Sequence, residues 1–296
     1  MTLVQFLISG AIFGSVLALL ASGYSLVYGV GGVINLSHGA FYLLTAYFVF
    51  WFVDANILSY PIAIIVSLIL ITLFGAFLYV AFIKPTHEYG EIAVLIVTFA
   101  MAFVIERAIL VYEGAKVGQL EPITLDKFIP GGFDFFGVFL YYQDIIIIIS
   151  AICVLSFLII FIKKSKLGKS IRAVSQDMDA AKLMGINVDR ILMFTVAVSA
   201  LLAGFSATLY VPKTGIMPYF GWDYLLLAMS VVILGGMGSL PGSVIGAYLI
   251  SYVRYFVILY IDLPYQTGFG GISHLLIIII MLIIRPRGIL GKKERV

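Results

Sequence analysis

Lys163-Lys164-Ser165-Lys166-Leu167-Gly168-Lys169-Ser170-Ile171-Arg172-Ala173-Val174-Ser175-Gln176-Asp177-Met178-Asp179-Ala180-Ala181-Lys182-Leu183-Met184-Gly185-Ile186-Asn187 is a long basic, polar segment in an otherwise apolar chain. Extended to Arg190, it holds seven of the chain's 18 lysines and arginines. The sequence on either side is apolar enough to sit in lipid, so this segment has to lie in water. The 296 residues are 62% hydrophobic and only 11% charged, with a mean hydropathy of +1.15. Soluble domains carry about 25% charged residues, and a surface this poor in charge could not be wetted. The expectation is an all-α, polytopic transmembrane helical bundle forming a single domain over 1–296. The net charge of +3 is small and its acids and bases both fall in connecting segments, which argues against nucleic-acid binding. The single cysteine, Cys153, excludes an internal disulfide and a cysteine metal cluster. It is expected as a buried small apolar residue.

On either side of the basic stretch, the apolar runs divide into spans of about 20 residues. Before it lie runs at 4–28, 41–53, 61–83, 92–112 and 144–162, and after it runs at 191–211, 223–234, 244–261 and 272–284. The first run is too long for the apolar core of a signal peptide and is expected to be retained as a span. The total is about eight or nine spans, because the runs at 41–53 and 223–234 are short for a crossing. The basic residues Arg285, Arg287, Lys292, Lys293 and Arg295 close the chain, whereas loop 113–143 sets Lys116 and Lys127 against Glu113, Glu121, Asp126 and Asp134. By the positive-inside rule, loop 163–190 and the C-terminus face the cytoplasm and the acidic loop faces out. The chain is thus expected as a multi-pass protein of a bacterial plasma membrane, in contact with membrane lipid.

Catalytic patterns fail. No G-x-x-x-x-G-K-[ST] is present, so the chain has no P-loop and is not itself an ATPase of that kind. His38, His87 and His274 lack ligand spacing, so no metal site and no bound cofactor are expected. Asn35 opens a glycosylation sequon, but one embedded in apolar sequence. Two glycine-rich breaks remain, at 29–39 and 235–242. Irregular backbone at membrane depth is tolerated only where it is buried or lines a cavity. Interrupted segments in opposite halves of a chain point to a substrate site. Asn35, Ser37, His38 and Gly39 in the first break and Gly235, Gly236, Gly238 and Ser239 in the second are therefore candidates for a substrate path, against the plainer reading of tight interspan turns. Glu106, Arg107 and Arg254 are intramembrane charges. The first two are near enough to a span end to snorkel, and Arg254 is a candidate partner for Glu106.

Residues 163–172 are an interfacial basic segment. Residues 175–187 read as a short cytoplasmic helix capped by Ser175, with Asp177 and Asp179 in its first turn. Val174, Met178, Ala181 and Met184 form its apolar face, and Gly185 ends it. Such a helix either lies on the bilayer or docks a cytoplasmic partner.

Asp179-Ala180-Ala181-Lys182-Leu183-Met184-Gly185 resembles the E-A-A-x-x-x-G coupling motif of ABC importer permeases, with Asp for Glu. Residues 172–187 as a whole, Gly32-Val33-Ile34-Asn35-Leu36-Ser37-His38-Gly39, Gly235-Gly236-Met237-Gly238-Ser239-Leu240-Pro241-Gly242 and Arg285-Pro286-Arg287-Gly288-Ile289-Leu290-Gly291 are similar to the branched-chain amino-acid permeases of the LivH type. The resemblance implies a non-enzymatic transport subunit that carries branched-chain amino acids. It further implies a second permease of the LivM type, two cytoplasmic ATPase subunits docking on 175–187, and an external substrate-binding protein. The related permeases for urea and short amides share much of the pattern and keep that substrate class open. An ion channel with the two breaks as a filter, and an intramembrane enzyme using Glu106 or His38, are the alternatives of other classes.

Overall fold

The computed structural model describes residues 2–117, 122, 124–125, 129–260, 266–285 and 288–291. Glu121, Asp126, Lys127, Pro286, Arg287, Lys292, Lys293 and Arg295, which entered the orientation and motif readings, lie outside these. The chain forms α1 (Thr2–Gly31), α2 (His38–Asp54) and α3 (Tyr60–Leu78), the last running through a π-helical turn (Tyr79–Ile83) into α4 (Lys84–His87). Then come α5 (Glu91–Val117), a hairpin of β1 (Gly132–Phe135) and β2 (Val138–Tyr141), and α6 (Tyr142–Lys164). Next are α7 (Lys166–Val174), α8 (Met178–Leu183), α9 (Val188–Thr214), α10 (Phe220–Gly235), α11 (Leu240–Tyr260) and α12 (Gln266–Ile284). The two strands pair antiparallel from Gly132–Tyr141 to Phe135–Val138, and the rest of the described secondary structure is helical.

The expected span count needs correction. Among the described residues, six helices are long and apolar enough to cross a membrane, not eight or nine. α12 is not among the six, and α2 and α10 fall short: with 17 and 16 residues, at about 1.5 Å per residue they rise only about 25 Å. The hydrocarbon core is about 30 Å thick. Counting apolar runs treated each as a crossing, but these two helices begin inside the bundle.

α1 and α9 form the centre. α1 packs along α11, α9, α6 and α10, while α9 packs along α1, α2 and α3. Small residues bring α9 close to its neighbours. Gly204 lies against Thr45 of α2, and Ala200 meets Gly75 of α3 so closely that an added Cβ there would lie 2.7 Å from it. Two thirds of the apolar window of α9 (67%) is buried, against 22% for α6, which makes α6 a peripheral helix. Cys153 sits on its outer face and is exposed, not buried as expected. A lipid-facing helix is apolar all round, so its sequence carries no periodicity to separate inner from outer positions.

Buried charge is paired at the end of the bundle away from the basic stretch. Asp144, at the start of α6, receives Lys213 Nζ at 2.5 Å and accepts from the Tyr141 N–H. Trp51 at the end of α2 donates to Glu113 of α5 at 2.6 Å. At the other end Lys84 and Asp189 pair at 2.9 Å in an exposed bridge that contributes little by itself.

Candidate functional site

α1 ends at Gly31, and residues 32–37 run back into the bundle without helical structure before α2 begins at His38. Asn35 makes this re-entry. Its Oδ1 accepts from both the N–H and the hydroxyl of Ser37, and Thr98 Oγ1 of α5 accepts from the Leu36 N–H. His38 is wholly buried. Its Nε2 lies 2.9 Å from the Leu20 carbonyl and its Nδ1 lies 3.0 Å from Ser199 Oγ. A carbonyl only accepts, so in the neutral ring Nε2 donates to Leu20 and Nδ1 accepts from Ser199. Leu20 lies eleven residues before the end of α1 and Ser199 eleven residues after the start of α9. Both positions are about 16 Å from the helix end by rise, so His38 stands near half the depth of the bundle.

A second irregular passage reaches the same depth from the opposite end. α9 stops at Thr214, Gly215 takes φ +69, and residues 215–219 lead to the start of α10 at Phe220. There the starts of α2 and α10 meet. Gly39 and Gly221 touch backbone to backbone, and a methyl group on Gly39 would collide with the Gly221 carbonyl. Leu225 lies against Gly39 and Leu43 against Gly221, and Tyr42 stacks on Tyr224 with ring centroids 4.0 Å apart. The contacts are reciprocal, as across a two-fold axis. The sequence carries the same relation: Gly39-Ala40-Phe41-Tyr42-Leu43-Leu44 and Gly221-Trp222-Asp223-Tyr224-Leu225-Leu226 share G-x-x-Y-L-L. That short repeat was the signal that could have located this junction.

The break opposite residues 32–37 is therefore 215–219, not 235–242. Residues 235–242 form a tight turn between α10 and α11, with Gly236 at φ +104 and Gly238 at φ +76. Gly29 and Gly238 approach so closely that a Cβ on Gly29 would lie 2.9 Å from the Gly238 Cα. Ser239 caps the turn, its Oγ accepting from the Gly242 N–H. The Ile289 and Leu290 N–H groups donate to the carbonyls of Leu234 and Gly235, both at 2.9 Å, satisfying the end of α10. The end of α1, the turn between α10 and α11 and residues 288–291 thus pack into one joint at the end of the bundle that carries the basic stretch.

Between α2, α5 and α10 a narrow recess is lined by Leu36, Ala40, Leu43, Ala102, Glu106, Gly221, Trp222 and Leu225. Glu106 is 6% exposed, and its Oε2 has no hydrogen-bond partner. Arg107 reaches its Oε1 at 3.8 Å and lies over the Phe103 ring. Arg254 does not pair with Glu106; it lies over Phe13 of α1, 5.0 Å from the ring centroid, and interacts with Asp223. Asp223, which the sequence reading did not single out, is exposed on α10.

The basic stretch divides differently from expectation. Asp177, not Ser175, caps α8, its Oδ1 accepting from the Asp179 and Ala180 N–H groups at 2.9 Å. Ser175 instead closes α7, donating to the Arg172 carbonyl. The apolar face also splits. Val174 and Ala181 are buried, while Met184 is 82% and Leu183 89% exposed. Gly185, at φ +81, turns the chain, and Ile186 N–H returns to the Ala181 carbonyl at 3.0 Å. Asn187 then caps α9 through the Arg190 N–H. Asp179 pairs with Lys182 at 3.6 Å in an exposed i,i+3 bridge.

A polytopic helical bundle with two discontinuous helices meeting at half depth has the architecture of a membrane permease. A family model described as branched-chain amino acid transport system, permease component, matches residues 6–285, and the chain belongs to that family. It is 29% identical to the high-affinity branched-chain amino acid transport system permease protein BraD of Pseudomonas aeruginosa, over 98% of this chain and 96% of that protein. It is 27% identical to the permease protein LivH of Salmonella typhimurium, over the same shares of the two chains. The permease protein LivM of that organism is 24% identical, over 92% of this chain and 67% of LivM. No solved structure matches. The chain is thus a LivH/BraD-type, non-catalytic permease of the branched-chain amino-acid ABC importer superfamily, a polytopic protein of the inner membrane.

Proposed function

We propose that this chain forms half of the translocation path of an ATP-driven importer of branched-chain, hydrophobic amino acids. It pairs with a LivM-type permease, receives substrate from an external binding protein and is driven by two cytoplasmic ATPase subunits. The basic loop 163–190 and the C-terminus lie in the cytoplasm. The observation that carries this reading is the junction at half depth, where two helix starts meet beside buried polar groups. First-turn N–H groups and a positive dipole end are offered to an anionic substrate group there. Asn35, Ser37, His38 and Gly39 belong to this path, with Gly221 as their counterpart in the second half. Gly235, Gly236, Gly238 and Ser239 serve instead as the tight joint between α10 and α11.

The ATPase docks on α8, with Leu183 and Met184 as its knob, Asp179 and Ala180 on the exposed side, and Ala181 and Gly185 holding the shape. Because α8 is joined to α9 by one glycine turn and an Asn cap, a push on it passes to the central helix. Ser199 on α9 holds His38 at the head of α2, so displacement of α9 reaches the junction directly. Uptake of labelled leucine, valine and urea by the reconstituted complex, with and without ATP, tests the reading. ATP-dependent leucine or valine uptake is the expected result. Urea uptake alone would move the chain to the amide permeases, and ATP-independent flux would make it a channel.

A further inference from the structure

The Glu106 recess has chemistry that neither the fold nor the coupling helix uses. A carboxylate with one oxygen unpartnered and only 6% of the residue exposed is costly in a membrane bundle unless a cation or donor meets it. Arg107 does not fill that need: at 3.8 Å it reaches only Oε1 and is itself half exposed. Ala40 and Gly221, in the first turns of two helices of 17 and 16 residues, line the same recess. The N–H groups of Gly39, Ala40 and Gly221 have no backbone acceptor. The recess thus brings an unpartnered carboxylate oxygen and two helix starts into one lining, with Leu36, Leu43, Trp222 and Leu225 as apolar walls. A simple cation would satisfy the first and be repelled by the second, and a simple anion the reverse. A group carrying both charges on neighbouring atoms satisfies both.

We propose that this recess is the subsite for the head group of a zwitterionic α-amino acid. Glu106 takes the ammonium group, and the first-turn N–H groups of α2 and α10 take the carboxylate. This rests on the import reading and names the groups that would recognise its substrate. In the present conformation the free space is about 10 Å³, room for about one water. The helix starts of α2 and α10 and the Glu106 face of α5 therefore have to part before the head group enters, and the apolar side chain of the ligand stays outside the recess. A site built this way accepts leucine, isoleucine and valine alike, because it reads the part they share.

The test is uptake of labelled L-leucine by cells whose own copy of the gene carries Glu106→Gln, Glu106→Asp or Ala102→Leu, each normalised to the amount of chain in the membrane. Glu106→Gln keeps the shape and removes the charge, and is expected to lower uptake at subsaturating leucine by about tenfold or more, the usual worth of a hydrogen bond to a charged group. Glu106→Asp should recover part of it. Ala102→Leu, which fills the recess and leaves the carboxylate intact, should lower uptake as well. Wild-type uptake in Glu106→Gln overturns the subsite. Should Glu106→Gln fail to accumulate, wild-type uptake in Ala102→Leu overturns it equally. A wild-type chain that imports no leucine overturns the import reading itself, which separates the two failures.

Discussion

A Cβ on Gly39 would collide with the Gly221 carbonyl, so Gly39 accepts none without moving a helix start, whereas a Cβ on Gly221 would make only a tight contact of 3.2 Å with the Gly39 carbonyl. Gly39→Ala should lower stability by about 1–3 kcal/mol, the usual cost of overpacking, and Gly221→Ala by less. Thermal unfolding of the detergent-purified chain measures this, and an unchanged midpoint would contradict the packing described. The glycines themselves were visible in the sequence, but only the first stood in a recognised break. Gly221 stood alone and became legible once its partner was seen. Asp144 and Lys213 make a second residue-level case. Lys213→Met leaves a buried carboxylate without its cation and should cost about 3–5 kcal/mol. Adding Asp144→Asn should restore most of the lost stability in the same melting experiment. Nothing in the sequence joined these two residues, which lie in different spans.

At the scale of elements, α8 shows how a cap decides a helix. Ser175 and Asp177 both have N-cap chemistry, and the sequence ranks them nearly equally. Ser175 is taken up by the end of α7, and Asp177 takes the cap. The shift turns Ala181 inward, at 4% exposure, and leaves Leu183 and Met184 as the outward pair. Leu183→Asp and Met184→Asp should therefore abolish leucine uptake while the chain still inserts at its normal level. Ala181→Asp should instead destabilise the α7–α9 joint and lower the membrane level of the protein. Immunoblots of membranes beside uptake separate the two outcomes, and normal uptake in both outward variants would remove α8 from coupling. Gly185→Val forces a β-branched residue to φ +81 and should also abolish uptake, because the turn that delivers α8 to α9 is lost.

Across the whole molecule, the two halves meet through reciprocal contacts about α2 and α10, and charge marks the face that lipid does not cover. Asp223 is exposed on α10 with Arg254 in its field, and Leu226 is exposed one turn further along. An ionisable side chain at membrane depth faces protein or water, not hydrocarbon. This face is therefore expected to line the path or meet the second permease, while the α6 face meets lipid. In membranes, Leu226→Cys in a Cys153→Ala background should react with a water-soluble maleimide or be shielded by the partner subunit. Native Cys153 should react only with a membrane-permeant reagent. Reaction of Cys153 with the water-soluble reagent would reverse the assignment of the two faces.

The all-α membrane class, the extent of the long spans and the family were determined by sequence alone. They depend on local quantities: apolar run length, charge density and short motifs read along one strand of chain. Loop 163–190 was legible as the segment that must be in water for the same reason. Which apolar runs are half-helices was decided by tertiary structure, because α2 and α10 differ from true spans only in where their first residue sits. The partner of residues 32–37, the pairing of Asp144 with Lys213 and the inward turn of Ala181 were decided there too. Each depends on which distant backbone stands opposite, a relation that hydropathy within lipid-facing and core-facing helices alike does not encode.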